Sequence, residues 1–462
     1  MELLKTISPV DGALYVEREL ATSSHINAVI QAASTAQKDW QNTAIEQRMG
    51  YCTRAVDYLV AHKAEIAEEL TWQMGRPVRF APGEIDGLEE RARYMIAIAE
   101  PSLAPTRITE KPGFTRYINH QPLGTVFVIA PWNYPFLTSV NAIIPALLAG
   151  NTVILKHSAQ TPLVAERYSE AFTHAGLADG VFTHLHLTHQ DTTRIIQSDA
   201  IDFVAFTGSV PGGEMVEKAA AGRFIGVGLE LGGKDPAFVR ADADLQHAVE
   251  TIVDGAFFNT GQSCCGIERA YIHHSIYDDF IEAAAQLVRQ YQLGRPDQQA
   301  TTLGPLVRTS AADFVRGQVT EAIAAHARAL INPEDFAMDQ AGTPYLAPQL
   351  LADVNHNMRV MTEETFGPVL GVMKVTNDDE AIQLMNDSEY GLTAAVFTQD
   401  QEAAVRIGNR VNTGTWFMNR CDYLDPALAW TGVGNSGRGC TLSELGFLSL
   451  TRPKSFHLKT AL

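Results

Sequence analysis

The sequence is poor in cysteine. Five residues in 462, Cys52, Cys264, Cys265, Cys421 and Cys440, cannot build a disulfide scaffold. None of them is spaced C-x-x-C, which argues against a structural zinc site. Basic charge is scarce as well: 35 Lys and Arg face 53 Asp and Glu, a net charge of −18, with no run of five basic residues. Such a surface repels phosphate backbones and argues against a nucleic-acid partner. No stretch reaches about 18 uncharged apolar residues, so no membrane-spanning helix is expected. The opening MELLKTISPVDGALYV lacks the apolar core of a signal peptide, which makes the cytoplasm the expected location. Internal repeats and low-complexity tracts are missing too. What remains is a globular composition, 46% apolar and 19% charged. The length suits two or three domains, with a core large enough to need no cross-links.

Residues 1–104 read as largely helical, with apolar residues at spacings of three and four over 26–64 and 66–99. Around Pro112-Gly113, residues 105–121 alternate apolar and polar on both sides, a hairpin signal. From Gly124 onward, short β-branched runs (125–130, 152–155, 201–206) alternate with helical stretches (139–149, 162–175). A second alternating series runs from Gly233, through 236–239, 245–258, 270–273, 275–291, 369–375, 378–386, 394–398 and 414–419. Strand–helix–strand alternation predicts an α/β protein with parallel, doubly wound sheets. The tail 455–459 reads as a lone strand that must pair with something, such as a partner subunit's edge.

Five short segments could carry chemistry, and a sixth only resembles one that does. Gly261-Gln262-Ser263-Cys264-Cys265-Gly266 sets two thiols on a small-residue loop, where a ligand can approach closely; the alternative is two buried cysteines acting as small hydrophobes. Leu229-Glu230-Leu231-Gly232-Gly233-Lys234 places a carboxylate at the end of an apolar run, where burial would raise it toward general-base range; the alternative pairs it with Lys234. Trp132-Asn133-Tyr134-Pro135 follows a strand directly, so the Asn133 amide is either an oxyanion donor or a helix cap. Phe206-Thr207-Gly208-Ser209 runs from a strand into a helix start, a phosphate-compatible arrangement. Glu363-Glu364-Thr365-Phe366 offers an acidic pair for a ribose diol, or a solvated turn. Gly432–Gly437 matches G-x-G-x-x-G, but only 25 residues follow it, too few for a dinucleotide-binding βαβ unit.

Taken together, in order and spacing, PWNYPF, VILK, FTGS, LELGGK, GQSC, EETFGPV and TGTWFMN resemble the aldehyde dehydrogenase superfamily over nearly the whole chain. The resemblance implies a Rossmann-like cofactor domain (1–104 and 122–232, with a return over 433–448), an α/β catalytic domain (233–432) and a β oligomerisation arm (105–121 and 449–462). It implies NAD(P)-dependent oxidation of an aldehyde to its acid. Cys264 would be the nucleophile, passing through a thiohemiacetal and a thioester, with Asn133 holding the oxyanion and Glu230 activating the hydrolytic water. Trp132, Lys156, Ser158, Thr207, Gly208, Ser209, Leu231, Glu364 and Phe366 would bind NAD or NADP. Asn419 would help shape the pocket. No metal is required, and a homodimer or dimer of dimers is implied. The rival readings are a CoA-acylating enzyme, against which Glu230 argues, a catalytically silent binding protein, and a cofactor-free cysteine hydrolase.

Several positions depart from the family pattern. The Glu that often follows the VILK lysine by three residues, and repels a 2′-phosphate, is Ala159 here, which leaves NADP open, with His157 and Ser158 as candidate contacts. The Lys, Arg and Glu usual near the C-terminus are Gly434, Cys440 and Thr441, changes expected at the substrate entrance rather than at the nucleophile. The arginine by which succinate-semialdehyde members hold a distal carboxylate is missing, and Asn141 stands in its place. Candidate pocket residues are Tyr134, Thr138, Asn141, Ser263, Cys265, Arg420, Asp422 and Trp430. Arg420 would favour an acidic substrate, Asp422 and Asp425 an amino-aldehyde, and Tyr134, Phe136, Tyr423 and Trp430 an apolar tunnel.

Overall fold

The structure, a computed structural model, describes residues 2–461. Two mixed sheets organise it. One has six strands in the order Gly437–Arg438, Gly226–Glu230, Phe203–Thr207, Thr125–Ile129, Thr152–Lys156, Phe182–His184. All but the Gly437–Arg438 pairing are parallel. Thr125–Ile129 is buried at every position, as expected for a strand covered on both faces. Helices Ser23–Trp40, Pro135–Leu148, Pro162–His174 and Val210–Ala220 flank this sheet. The second sheet has seven strands, ordered Arg328–Ala329, Gln349–Ala352, Val369–Val375, Ile267–His273, Asp235–Val239, Thr393–Phe397, Thr415–Met418. Helix Leu245–Phe257 lies over it, capped by Asp244, whose side chain accepts from the His247 N–H.

Two expectations are corrected. The N-terminal segment is not helical from its start: Leu3–Ile7 and Leu14–Glu19 form an antiparallel hairpin, turning through Gly12 at φ +76°. Its strands, LLKTI and LYVERE, are too short for a helical period to be tested against them. The terminal strand Thr451–Lys459 does not wait for another subunit. It pairs antiparallel with Phe114–Pro122 of its own chain over nine residues, and Thr106–Arg107 adds a third strand on the other side. Sequence alternation identifies a strand but does not say which edge will satisfy it.

Candidate active site

The parallel register of the six-stranded sheet assembles one crevice. Ile129 is level with Lys156, and Thr207 with Glu230. The carboxyl ends of four neighbouring strands therefore present Trp132 and Asn133, Lys156, Thr207 and Glu230 along one rim, where open α/β sheets bind ligands. Gly432–Gly437 is a turn between two-residue strands, with Gly434 and Gly437 at positive φ. It clamps the Glu230 strand: Leu231 N–H donates to Ser436 O at 3.1 Å, and Ser436 Oγ donates to Gly232 O at 2.7 Å.

Cys264 lies on the loop between Leu245–Phe257 and Ile267–His273. Three consecutive left-handed residues, Asn259, Thr260 and Gly261, turn the chain into it. That strain is held by specific bonds. Asn259 Nδ2 donates to Asn133 O and Gln262 O, both at 3.2 Å, and Gln262 Oε1 accepts from Val307 N–H at 2.8 Å. Arg76 donates to Asn259 Oδ1 and to Asn133 O, and pairs with Glu84. Glu84 in turn accepts from the N–H groups of Phe136 and Leu137, at 2.9 and 3.0 Å, at the start of Pro135–Leu148. The Asn133 backbone is thus fixed from two sides. Its Nδ2 donates to Gln262 O at 3.2 Å, which brings the amide to the Cys264 loop. The two glycines of LELGGK are both sterically required. A Cβ on Gly232 would strike the Glu364 carboxylate, and one on Gly233 the Cys264 carbonyl oxygen.

Glu230 accepts from Thr207 Oγ1 at 3.1 Å and from Thr441 Oγ1 at 2.7 Å. Burial raises its carboxyl, against the opposing effect of those two hydroxyls and of the Arg91 charge. Lys234 does not pair with it; it pairs with Glu268 instead, both buried. The Cys264 thiol is pushed up by the adjacent Cys265, by burial, and by the charges of Glu230 and Asp235. Thr441, placed by its sequence at the substrate entrance, is therefore a direct partner of the candidate base. A cleft of about 170 Å³ joins Glu230 to Thr207, Thr138, Trp430, Cys440 and Thr441; Cys264 is not part of its lining.

Lys156 ends its strand with no acidic partner among the described residues, and burial lowers its ammonium. Ser209 caps helix Val210–Ala220, accepting from Gly212 N–H at 3.3 Å. Glu364 accepts from Gly233 N–H at 2.9 Å, and its carboxyl is raised to about 7 by burial and by Glu268. Phe366 meets Trp132 edge-on at 5.7 Å. Leu231 is buried against Gly213. A cationic site without its anion and a carboxylate at an opposite loop suit a dinucleotide's phosphates and ribose, so these residues fit the cofactor. His157 does not fit the phosphate contact expected of it. It is buried, Nε2 meets Pro135 O at 3.3 Å, Nδ1 meets Thr161 Oγ1 at 3.1 Å, and burial holds it down at about 3. Ser158, half-buried, remains.

The substrate-side candidates divide. Tyr134 has the Arg76 guanidinium 4.5 Å above its ring and is within reach of the Ser263 hydroxyl and of the Cys265 and Asp422 charges. Ser263 Oγ is 3.5 Å from Cys265 Sγ. Asp422 is raised to about 7 by burial and by Asp254. Arg420 turns outward, exposed and stacked 3.7 Å over Tyr423. Asn419 faces its own sheet, with both side-chain termini bonded to the Thr398 backbone at 2.9 Å. The buried Lys234–Glu268 pair was missed by sequence reasoning. Glu268 accepts from the N–H groups of Thr365 and Phe366, and Lys234 donates to Thr365 Oγ1, which fixes the loop carrying Glu364. The sequence signal was a lysine and a glutamate at the ends of two neighbouring buried strands.

Comparison with known proteins agrees with this geometry. The aldehyde dehydrogenase family model matches residues 2–456. A succinate-semialdehyde dehydrogenase [NADP(+)] of Deinococcus radiodurans is 33% identical over 449 residues, covering 97% of this chain and 93% of that protein. The succinic semialdehyde dehydrogenase of Streptococcus pyogenes, solved with NADP+, is 28% identical with a TM-score of 0.94, covering 99% of this chain and 100% of the other. The NADP-dependent glyceraldehyde-3-phosphate dehydrogenase of Bacillus halodurans, solved with NADP, is 31% identical with a TM-score of 0.93, covering 100% and 96%. Fold, crevice and relatives coincide: the chain belongs to the aldehyde dehydrogenase family, and its activity is NAD(P)-dependent aldehyde oxidation.

Proposed function

We propose that Cys264 Sγ adds to the carbonyl carbon of the aldehyde and that Glu230 returns the acyl group to water. Asn133 Nδ2, bonded among the described residues only to Gln262 O, is free to turn to the oxyanion, and the Cys264 N–H is its second donor. The raised thiol gives its proton to water before attack, so that Glu230 is kept for the hydrolytic step. NAD(P), when bound, supplies the two-electron acceptor that turns the thiohemiacetal into a thioester. Glu230 then takes a proton from the water that attacks the thioester, and Cys264 leaves as the thiolate. Lys156, Ser158, Thr207, Ser209 and Glu364 hold the dinucleotide, with Trp132, Gly208, Leu231 and Phe366 shaping its bed. NADP is the preferred coenzyme, because Ala159 carries no charge against a 2′-phosphate and the relatives named above use NADP. The cofactor part is 1–104 with 122–232 and the return 433–448, the catalytic part 233–432, and 105–121 with 449–462 form the arm of a homo-oligomer.

The observation that carries this reading is the convergence of Asn133 on the Cys264 loop through Gln262 O, together with a half-buried Glu230 held by two hydroxyls. Glu230→Gln tests it. The variant should give a burst of reduced coenzyme followed by turnover slowed at least about 100-fold, as the thioester accumulates. Slowed turnover with no burst would place Glu230 before the thioester and contradict the assignment.

A further inference from the structure

A positive charge lies near the thiols on an element that carries none of the motifs. Arg91 belongs to helix Gly83–Leu103, next to Ala92 and one turn from Leu88, which pack in the same apolar cluster as Cys265. It is only 8% exposed. An arginine this buried is ordinarily paired with a carboxylate. Arg91 has no salt bridge among the described residues, and Glu84, on the same helix, is already taken by Arg76 and two backbone N–H groups. One arm of Arg91 is used: Nη1 donates to Leu137 O and lies 3.5 Å from Asn141 Oδ1. Nε and Nη2 find no acceptor among the described residues. Those two nitrogens form the edge of the guanidinium that matches a carboxylate in bidentate geometry. Asn141 is 2% exposed, and its Nδ2 also lacks a partner among the described residues. Besides Glu84, the charges of Cys265, Glu230 and Cys264 act on Arg91, which sets its guanidinium within Coulombic range of the reacting sulfur.

We propose that Arg91, backed by the Asn141 amide, is the specificity-determining receptor for a carboxylate on the substrate, so that the enzyme takes an aldehyde acid whose carbonyl end is presented to Cys264. The inference rests on the reading of Cys264 as nucleophile. It explains why Asn141 is tolerated where an arginine is otherwise used: the cation comes from the neighbouring helix. It also separates the candidates left open by the sequence. Arg420 is exposed and stacked on Tyr423, away from the thiols. Asp422, raised to about 7, offers a cationic substrate no full counter-charge at neutral pH.

Alkylation of the full-length enzyme tests the charge without relying on turnover. Iodoacetate and iodoacetamide differ by a carboxylate, and the rate at Cys264 is read by mass spectrometry for wild type, Arg91→Met, Arg91→Lys and Asn141→Asp. The iodoacetate-to-iodoacetamide ratio should fall at least about 5-fold in Arg91→Met and recover in part in Arg91→Lys. It should fall likewise in Asn141→Asp, which gives Arg91 an internal carboxylate and keeps the buried charge paired if Arg91→Met does not fold. In turnover, Arg91→Met should lose at least about 10-fold in kcat/KM for succinate semialdehyde and stay within about 3-fold for butanal. An unchanged ratio, or an equal loss for both reagents and both aldehydes, would overturn the proposal. Activity that survives Cys264→Ala would instead overturn the reading on which it rests.

Discussion

The chemistry turns on contacts one residue wide. Cys265 is the strongest influence holding the Cys264 thiol above its ordinary range, ahead of burial. Cys265→Ala should therefore move the alkylation profile of Cys264 to lower pH, while wild type labels slowly near pH 7 and faster above about pH 9. An unmoved profile would show that burial alone sets the thiol. Thr441 donates to Glu230 and so lowers its carboxyl. Thr441→Val removes that bond, the Glu230 pKa rises, and the acid limb of kcat should shift to higher pH without change in KM. The segments around Cys264, Glu230 and Asn133 were legible because each needs a rare combination: a thiol among small residues, an acid before paired glycines, an amide after a strand. The Thr441–Glu230 bond and the part of Arg91 were not, since neither a threonine in a glycine-rich turn nor an arginine in a helix shows from sequence what folding will set against it.

Elements bring these residues together through register and through one buried ion pair. The Lys234–Glu268 pair ties strand Asp235–Val239 and strand Ile267–His273 to the loop holding Glu364. Breaking it with Glu268→Gln should cost about 3–5 kcal/mol in urea unfolding, because Lys234 is left buried without its counter-ion. A loss within about 0.5 kcal/mol would mean that water or Glu364 replaces the partner. The parallel strands were readable from sequence because they are buried on both faces, as runs such as TVFVI and TVILK show. The Leu3–Ile7 and Leu14–Glu19 hairpin was not, since its half-exposed strands alternate over only a few residues. The partner of Thr451–Lys459 was hidden for another reason: pairing with Phe114–Pro122 spans most of the chain, and no local pattern encodes it.

At the scale of the whole molecule, the two sheets leave the three-stranded ribbon of Thr106–Arg107, Phe114–Pro122 and Thr451–Lys459 standing with an open edge. Thr451–Lys459 is the outer strand, and most of it is exposed. An uncovered edge of this length is a site for pairing between copies. The enzyme is expected to run in light scattering as a multiple of its 50.4 kDa chain mass, and deletion of 451–462 should shift it to the monomer. A monomeric full-length enzyme would remove the arm from the account. The assignment of Cys264 stands above all of this, and one comparison tests it most directly. Purified enzyme and Cys264→Ala are mixed with NADP and a panel of neutral, carboxy- and amino-aldehydes, and reduced coenzyme is followed by its ultraviolet absorbance. Wild type should reduce the coenzyme, fastest with a carboxy-aldehyde, and a folded Cys264→Ala should show none above background. Reduction that persists in the variant would contradict the assignment.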